Sequence, residues 1–237
     1  MQKLAYTALE RIHLHRPVDR VMQMTELVKG KGIFDLGALD ETVLERKRDH
    51  GRWLHARLCS SASEVVGIDN SALLPESGIV TAANGRIIHA NIFDLSPVVA
   101  AFGKPEILVA GELIEHLPDT LGWLQSLKRN RDLTGVELVF STPNACNWYN
   151  GLVGLMGRES MHCDHLQIYS YKTLRTLFDR SGLQLLSLVP YHARFDEMLE
   201  AASGLHKVAV ASFQKVIGAL EWVSPSLAGG WIGHARI

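Results

Sequence analysis

The sequence predicts an α/β fold, a mainly parallel sheet covered by helices on both faces. Two observations lead there. Short apolar runs of the kind that form buried strands alternate along the chain with segments of helical periodicity. The polar residues Asp35, Asp69, Asn91, Glu112 and Asn144 all lie at or just after the ends of these runs. In such sheets ligands bind beyond the carboxyl ends of the strands.

Taken in order, residues 1–30 form an amphipathic helical lead-in that Pro17 divides into two short helices. Residues 32–36 are the first strand, closing on Asp35 and Gly37. A charged stretch from Asp40 to Arg52 reads as a loop or irregular turn, followed by a helix from about Gly51 to Ser60. Val65 to Asp69 is the second strand, Ile87 to Ala90 the third and Glu106 to Ala110 the fourth. A helix over Asp119 to Asn130 leads to a fifth strand, Val136 to Ser141, stopped by Thr142-Pro143-Asn144. Residues 145–165 read as a loop or partly helical cover. Ser170 caps a helix over Tyr171 to Arg180, which Ser181-Gly182 ends. Leu183 to Val189 is the sixth strand, helical sequence fills about 195–222, and Gly229 to Ile237 is the last strand. The expected division is a lead-in (1–30) and one domain (31–237).

Composition narrows the function. Lys and Arg total 24 against 25 Asp and Glu, a balance without the basic excess that binds phosphate backbones, so nucleic acid is not expected as a partner. The chain has three cysteines and no CxxC pair, which fits free thiols in a reducing compartment. The first twenty residues lack the apolar core of a signal peptide. No stretch approaches the roughly 20 apolar residues that span a bilayer. A cytoplasmic protein without a membrane span is expected.

Asp69 ends the second strand where an adenosine ribose needs a carboxylate to accept from its two hydroxyls. At the first turn, Gly37 lets the backbone approach a ligand. A dinucleotide would want GxGxxG there. Instead Gly37 is followed by Ala38, Leu39, Asp40 and Glu41. Acids repel pyrophosphate but suit a sulfonium and an ammonium group, so the pattern favours S-adenosylmethionine over NAD.

The ordered segments IFDLGALD, VVGIDNS, IIHANIFDL, EILVAGELIEHLPD and ELVFSTPN resemble the class I S-adenosylmethionine-dependent methyltransferases over about residues 30–190, a resemblance expected to run on to the C-terminus. The later DHLQIYSYKTLRTLFDRSGLQL is similar to the ubiquinone-biosynthesis-like O-methyltransferase group. The resemblance implies a Rossmann-like, seven-stranded sheet in the order 3-2-1-4-5-7-6. It also implies that Asp35 and Gly37 line the methionine end of the cofactor and that Asp69 holds the ribose. Asn91 and Ile92 would meet the adenine, and the Ala110 backbone would face the amino group. This chain departs from the family in lacking the later glycines of the first loop, in a longer insertion before the second strand, and in Asn91, where the family often has Asp.

Glu112, Glu115 and His116 fall at i, i+3 and i+4, which gathers them on one face if the turn is helical. His165 follows in the cover segment. Two carboxylates and two imidazoles suit a divalent ion such as Mg²⁺, Mn²⁺ or Zn²⁺. The ExxEH pattern with a later His resembles the metal-binding small-RNA 2'-O-methyltransferases and some ubiquinone-pathway enzymes. By analogy the ion would bind substrate hydroxyls. Other readings stay open: His116 as a metal-free general base, the two Glu as solvated first-turn residues, and His165 bonded to a carbonyl. His162-Cys163-Asp164-His165 alone lacks partners at zinc spacing.

Trp148, Tyr149, Leu152, Leu155 and Met156 read either as walls of an acceptor pocket or as packing of a lid on its own domain. The apolar spacing of Val208, Val210, Phe213, Val216, Ile217 and Leu220 reads first as a core-facing helix, then as a homodimer face, and third as a membrane-surface helix. The function expected is O-methylation of a small-molecule or sugar acceptor by S-adenosylmethionine. The rivals are an RNA 2'-O-methyltransferase, an NAD-dependent oxidoreductase, and a catalytically silent cofactor-binding protein.

Overall fold

The computed structural model describes residues 11–39, 52–159 and 161–237. The charged stretch Asp40 to Gly51, with Asp40 and Glu41 after the first turn, lies outside them, as do residues 1–10 of the lead-in.

Among the described residues, eight strands form one sheet: β1 (Gly32–Leu36), β2 (Glu64–Asp69), β3 (Ile79–Ala82), β4 (Gly85–His89), β5 (Ile107–Gly111), β6 (Glu137–Pro143), β7 (Gln184–Tyr191) and β8 (Gly230–Arg236). Their order is β3-β4-β2-β1-β5-β6-β8-β7. Without β3 this is the expected 3-2-1-4-5-7-6, with β1, β2, β4, β5 and β6 paired parallel. The expected count of seven is corrected to eight. The extra strand is an antiparallel edge hairpin, with Ala82 opposite Gly85 across Ala83-Asn84. The Asn84-Gly85 pair is a turn signal, but the short run before it leaves Val80 exposed, so its apolar pattern is faint.

Among the described residues, the α-helices are α1 (Arg20–Leu27), α2 (Leu54–Cys59), α3 (Ser96–Phe102), α4 (Thr120–Arg129), α5 (Trp148–Leu155), α6 (Tyr171–Ser181), α7 (Asp196–Ala201) and α8 (Gly204–Val223). Their starts follow local chemistry. Asp19, Asp119 and Asn147 each accept a backbone N–H of the first turn. Ser170 and Thr173 close a capping box, and Gly182 ends α6 at φ 80°. Each such cap is worth about 0.5–2 kcal/mol. Of the lead-in's two expected helices, α1 forms beyond Pro17, whereas residues 11–18 carry no helix. Val18 instead pairs with Tyr191 at the end of β7, because its N–H and C=O find partners in Pro190 and His192.

Alternation along the strands divides the core. Phe34, Leu36, Leu108, Leu138 and Phe140 face one side with Trp123 and Phe178. Ile33, Val65, Ile107, Val109 and Val139 face the other with Met24 and Leu58. This is the signature of a sheet buried on both faces.

The cover segment contains α5, and the helical insertion contains α7 and α8. The expectation of a core-facing α8 needs correction. Of its six spaced apolar residues only Val210 and Ile217 are buried. Val208, Phe213, Val216 and Leu220 are exposed. The third buried residue of the helix is Glu221, held by His192 Nδ1 at 2.7 Å and by the Ala193 N–H at 3.1 Å. A paired carboxylate fixes which face turns inward, and apolar residues on the remaining faces stay outside.

Candidate functional site

In this sheet order, connections leave β1 first toward β2 and then, through β5, in the other direction. The β1–β5 gap is therefore the topological switch point, where such sheets bind ligands. Pairing of β1 with β5 stops at Asp35–Val109. Leu36-Gly37 and Ala110-Gly111 thus diverge at the carboxyl edge.

Gly37 stands at φ 72°, and a Cβ there would lie 3.1 Å from Leu113 Cδ1. The backbone conformation calls for glycine. Asp69 closes β2 beside it. Its Oδ2 accepts from the Leu39 N–H at 2.9 Å and its Oδ1 from the Ser71 N–H at 3.0 Å. The acid therefore pins the loop after β1, while a carboxylate's further lone pairs stay available for hydroxyls. Asn91 is exposed, and its Oδ1 accepts from the Phe93 N–H to shape the loop after β4. Ile92 packs against the larger core, and its carbonyl accepts from Trp123 Nε1. Ala110 is fully buried.

Asp35 goes elsewhere. Its side chain lies on the α2 side, 3% exposed, and its Oδ2 meets His55 Nδ1 at 2.9 Å. Thr81 Oγ1 contacts the other ring nitrogen at 2.8 Å. Burial alone would lower the His55 pKa, but the hydrogen bonds and charges of Asp35 and Cys59 prevail and raise it to about 9. Nothing in the spacing of Asp35 and His55 announced this buried ion pair.

The second cluster lies just beyond β5. Glu112 adopts φ 53°, its N–H bonded to the Ser141 carbonyl, and a single 3-10 turn, Ile114–His116, follows. Ligand atoms of Glu115, His116 and His165 all lie within 4.8 Å of one another. Glu112 does not belong to that group. Its Oε1 accepts from the Tyr191 hydroxyl at 3.0 Å and stands 3.7 Å from Arg20. Tyr191 and Arg20 carried no motif signal, because distant elements bring them here.

Glu115 is fully buried; neither carboxyl oxygen makes a hydrogen bond of good geometry, and the Thr142 hydroxyl is its near polar neighbour. Burial first, then the neighbouring Glu112, raises its pKa to about 8. His165 Nδ1 is likewise buried without a partner. Burial, reinforced by His116 and His162, lowers the His165 pKa, which keeps the ring neutral. His116 Nδ1 lies 3.1 Å from the Asp164 carbonyl. A carbonyl only accepts, so Nδ1 carries a proton, and in the neutral ring the lone pair is on Nε2. Buried carboxyl oxygens and a neutral imidazole without partners are the donor set a divalent cation requires. His162, Cys163 and Asp164 form a second close group, but all three are exposed.

No family model and no curated protein matches the chain. Solved structures do. It is similar to a SAM-dependent methyltransferase from Archaeoglobus fulgidus, with TM-score 0.50 and 14% identity over 92% of this chain and 91% of that one. It is similar to magnesium protoporphyrin IX methyltransferase from Synechocystis with bound SAH, with TM-score 0.52 and 10% identity over 91% of this chain and 81% of that one. It is also similar to the small RNA methyltransferase HEN1, with TM-score 0.56 and 12% identity over 92% of this chain but 24% of that one. The fold is that of the class I S-adenosylmethionine-dependent methyltransferases.

Proposed function

We propose that this chain transfers a methyl group from S-adenosylmethionine to an oxygen of a small-molecule or sugar acceptor, assisted by a divalent cation. The observation that carries the reading is Asp69, a carboxylate locked to the Gly37 loop at the switch point by the Leu39 N–H. That position suits ribose hydroxyls, and the missing glycines disfavour a dinucleotide. The open Ala110-Gly111 edge would receive the amino end. Asn91 and Ile92 would border the adenine. Asp35 acts beneath this site, through His55.

Glu115, His116 and His165 would hold the cation, and Glu112 would join after leaving Tyr191. Bound there, Mg²⁺, Mn²⁺ or Zn²⁺ would supply acidity to an acceptor hydroxyl. The cleft would hold the acceptor oxygen in line with the methyl group, and His116 Nε2 would accept the proton where no cation is held. The late-segment resemblance to ubiquinone-pathway enzymes supports an oxygen acceptor.

A second reading, 2'-O-methylation of RNA, draws on the same ExxEH and His165 set. The chain's net charge of −1 speaks against it. Labelled S-adenosylmethionine offered with catechols, sugars and short RNA distinguishes the two. The proposal expects transfer to a catechol or sugar, lost with a chelator and restored by Mn²⁺. Transfer to RNA alone would establish the second reading.

A further inference from the structure

No helix among the described residues is long and apolar enough to cross a membrane, yet α8 is apolar on the face turned away from the protein. Leu205 is 90% exposed, and Val208, Val216, Leu220 and Val223 follow it along the helix, also exposed. At 100° per residue they make one stripe opposite the buried Val210, Ile217 and Glu221. Soluble helices carry their charges on that outer face. Beside α8 stands α5, which also exposes apolar residues. The Phe213 ring meets Trp148 at 5.5 Å, and at the far end of α5 Leu155 is 87% and Met156 60% exposed.

Along α8 itself the exposed charge has one sign, while Glu159 stands beside the exposed end of α5. The ionisable residues of α8 are His206, Lys207, Lys215 and Glu221. Glu221 is buried against His192, so the exposed formal charge comes from the two lysines. Trp222 is half exposed on the flank. The Arg16 guanidinium lies over its ring at 5.3 Å and donates to its carbonyl. The acids beside that end, Asp19 and Asp196, are already paired with Arg194.

We propose that the α8 stripe, with the end of α5, seats on a membrane surface rich in anionic lipid. A helix with an uncharged apolar face, and with Lys215 and an Arg-stacked Trp along one flank of it, lies in the plane of such an interface rather than across it. A second copy fits less well, because an antiparallel two-fold contact through this stripe sets the Lys215 flank against its own equivalent. The inference does not depend on the methyl-transfer reading.

Co-sedimentation of the full chain with vesicles tests it. The chain binds mixed phosphatidylcholine–phosphatidylglycerol vesicles and binds phosphatidylcholine alone weakly. The exposed pair Val216→Glu with Leu220→Glu abolishes binding with the thermal midpoint unchanged. Lys215→Glu weakens it at least about fivefold, from roughly 1 kcal/mol per basic residue at an anionic surface. Three results would each overturn the proposal. One is no sedimentation with the anionic vesicles, and another is equal sedimentation of the double variant. The third is a dimer in light scattering that the double variant dissociates, which assigns the stripe to a second copy.

Discussion

The Tyr191 hydroxyl, at the end of β7, donates to Glu112 Oε1 at 3.0 Å and so holds that carboxylate apart from Glu115, His116 and His165. For Glu112 to complete a cation site, this bond must break. Tyr191→Phe is therefore expected to tighten Mn²⁺ binding roughly tenfold, since a hydrogen bond to a charged group is worth about 1.5–3 kcal/mol. Calorimetry on the variant measures it. Unchanged affinity would mean that Glu112 is no ligand and that Tyr191 simply anchors β7.

Glu115 presents the sharper test of the cation. A buried carboxyl without a hydrogen bond of good geometry gives the cation-free fold nothing that an amide would not. Glu115→Gln should leave the thermal midpoint of the cation-free protein unchanged or slightly higher. It should also remove any rise in midpoint that Mn²⁺ gives the parent, since binding to the native state stabilises by mass action. A large destabilisation by Glu115→Gln without added cation would make the residue structural.

His55 sets a pH dependence. Its pKa rises from 6.5 unfolded to about 9 folded, so its contribution to stability is complete below about 6.5 and is lost as pH rises through 9. Melts between pH 6 and 10 should show that decline. Asp35→Asn breaks the buried pair, at a cost of about 3–5 kcal/mol, and should flatten the pH dependence. A parent midpoint constant across this range would show that His55 is neutral in the fold.

How legible was this in the sequence? The β1, β2 and β5 runs, the Ser170 cap and the Gly182 stop appear where periodicity and turn chemistry put them, because each depends on neighbours in sequence. The β3 hairpin was missed since Val80 buries no apolar face. Glu115, His116 and His165 converge as spacing suggested, although a 3-10 turn rather than an α-helix gathers them. Arg20, His55 and Tyr191 were invisible as site neighbours, because their partners Glu112 and Asp35 belong to other elements. The outward face of α8 was misread for a related reason. Periodicity shows that apolar residues share a side, but which side turns inward depends on Glu221 finding His192.

Asp69 has two tasks, which changes what its removal should do. Asp69→Ala is expected to weaken S-adenosylmethionine binding about tenfold or more through lost charge-assisted hydrogen bonds. Because the Leu39 and Ser71 N–H groups lose their acceptor, the midpoint should fall as well. A variant that melts earlier but binds the cofactor as before would leave Asp69 only its loop-holding role.

The central claim is that the cleft between Gly37, Asp69 and Ala110 is built for S-adenosylmethionine. Calorimetric titration of the parent chain with S-adenosylmethionine and, separately, with NAD tests it most directly. The account predicts saturable binding of S-adenosylmethionine at one site per chain and weaker or no binding of NAD. Tighter binding of NAD, or no heat with S-adenosylmethionine from a folded sample, would contradict it.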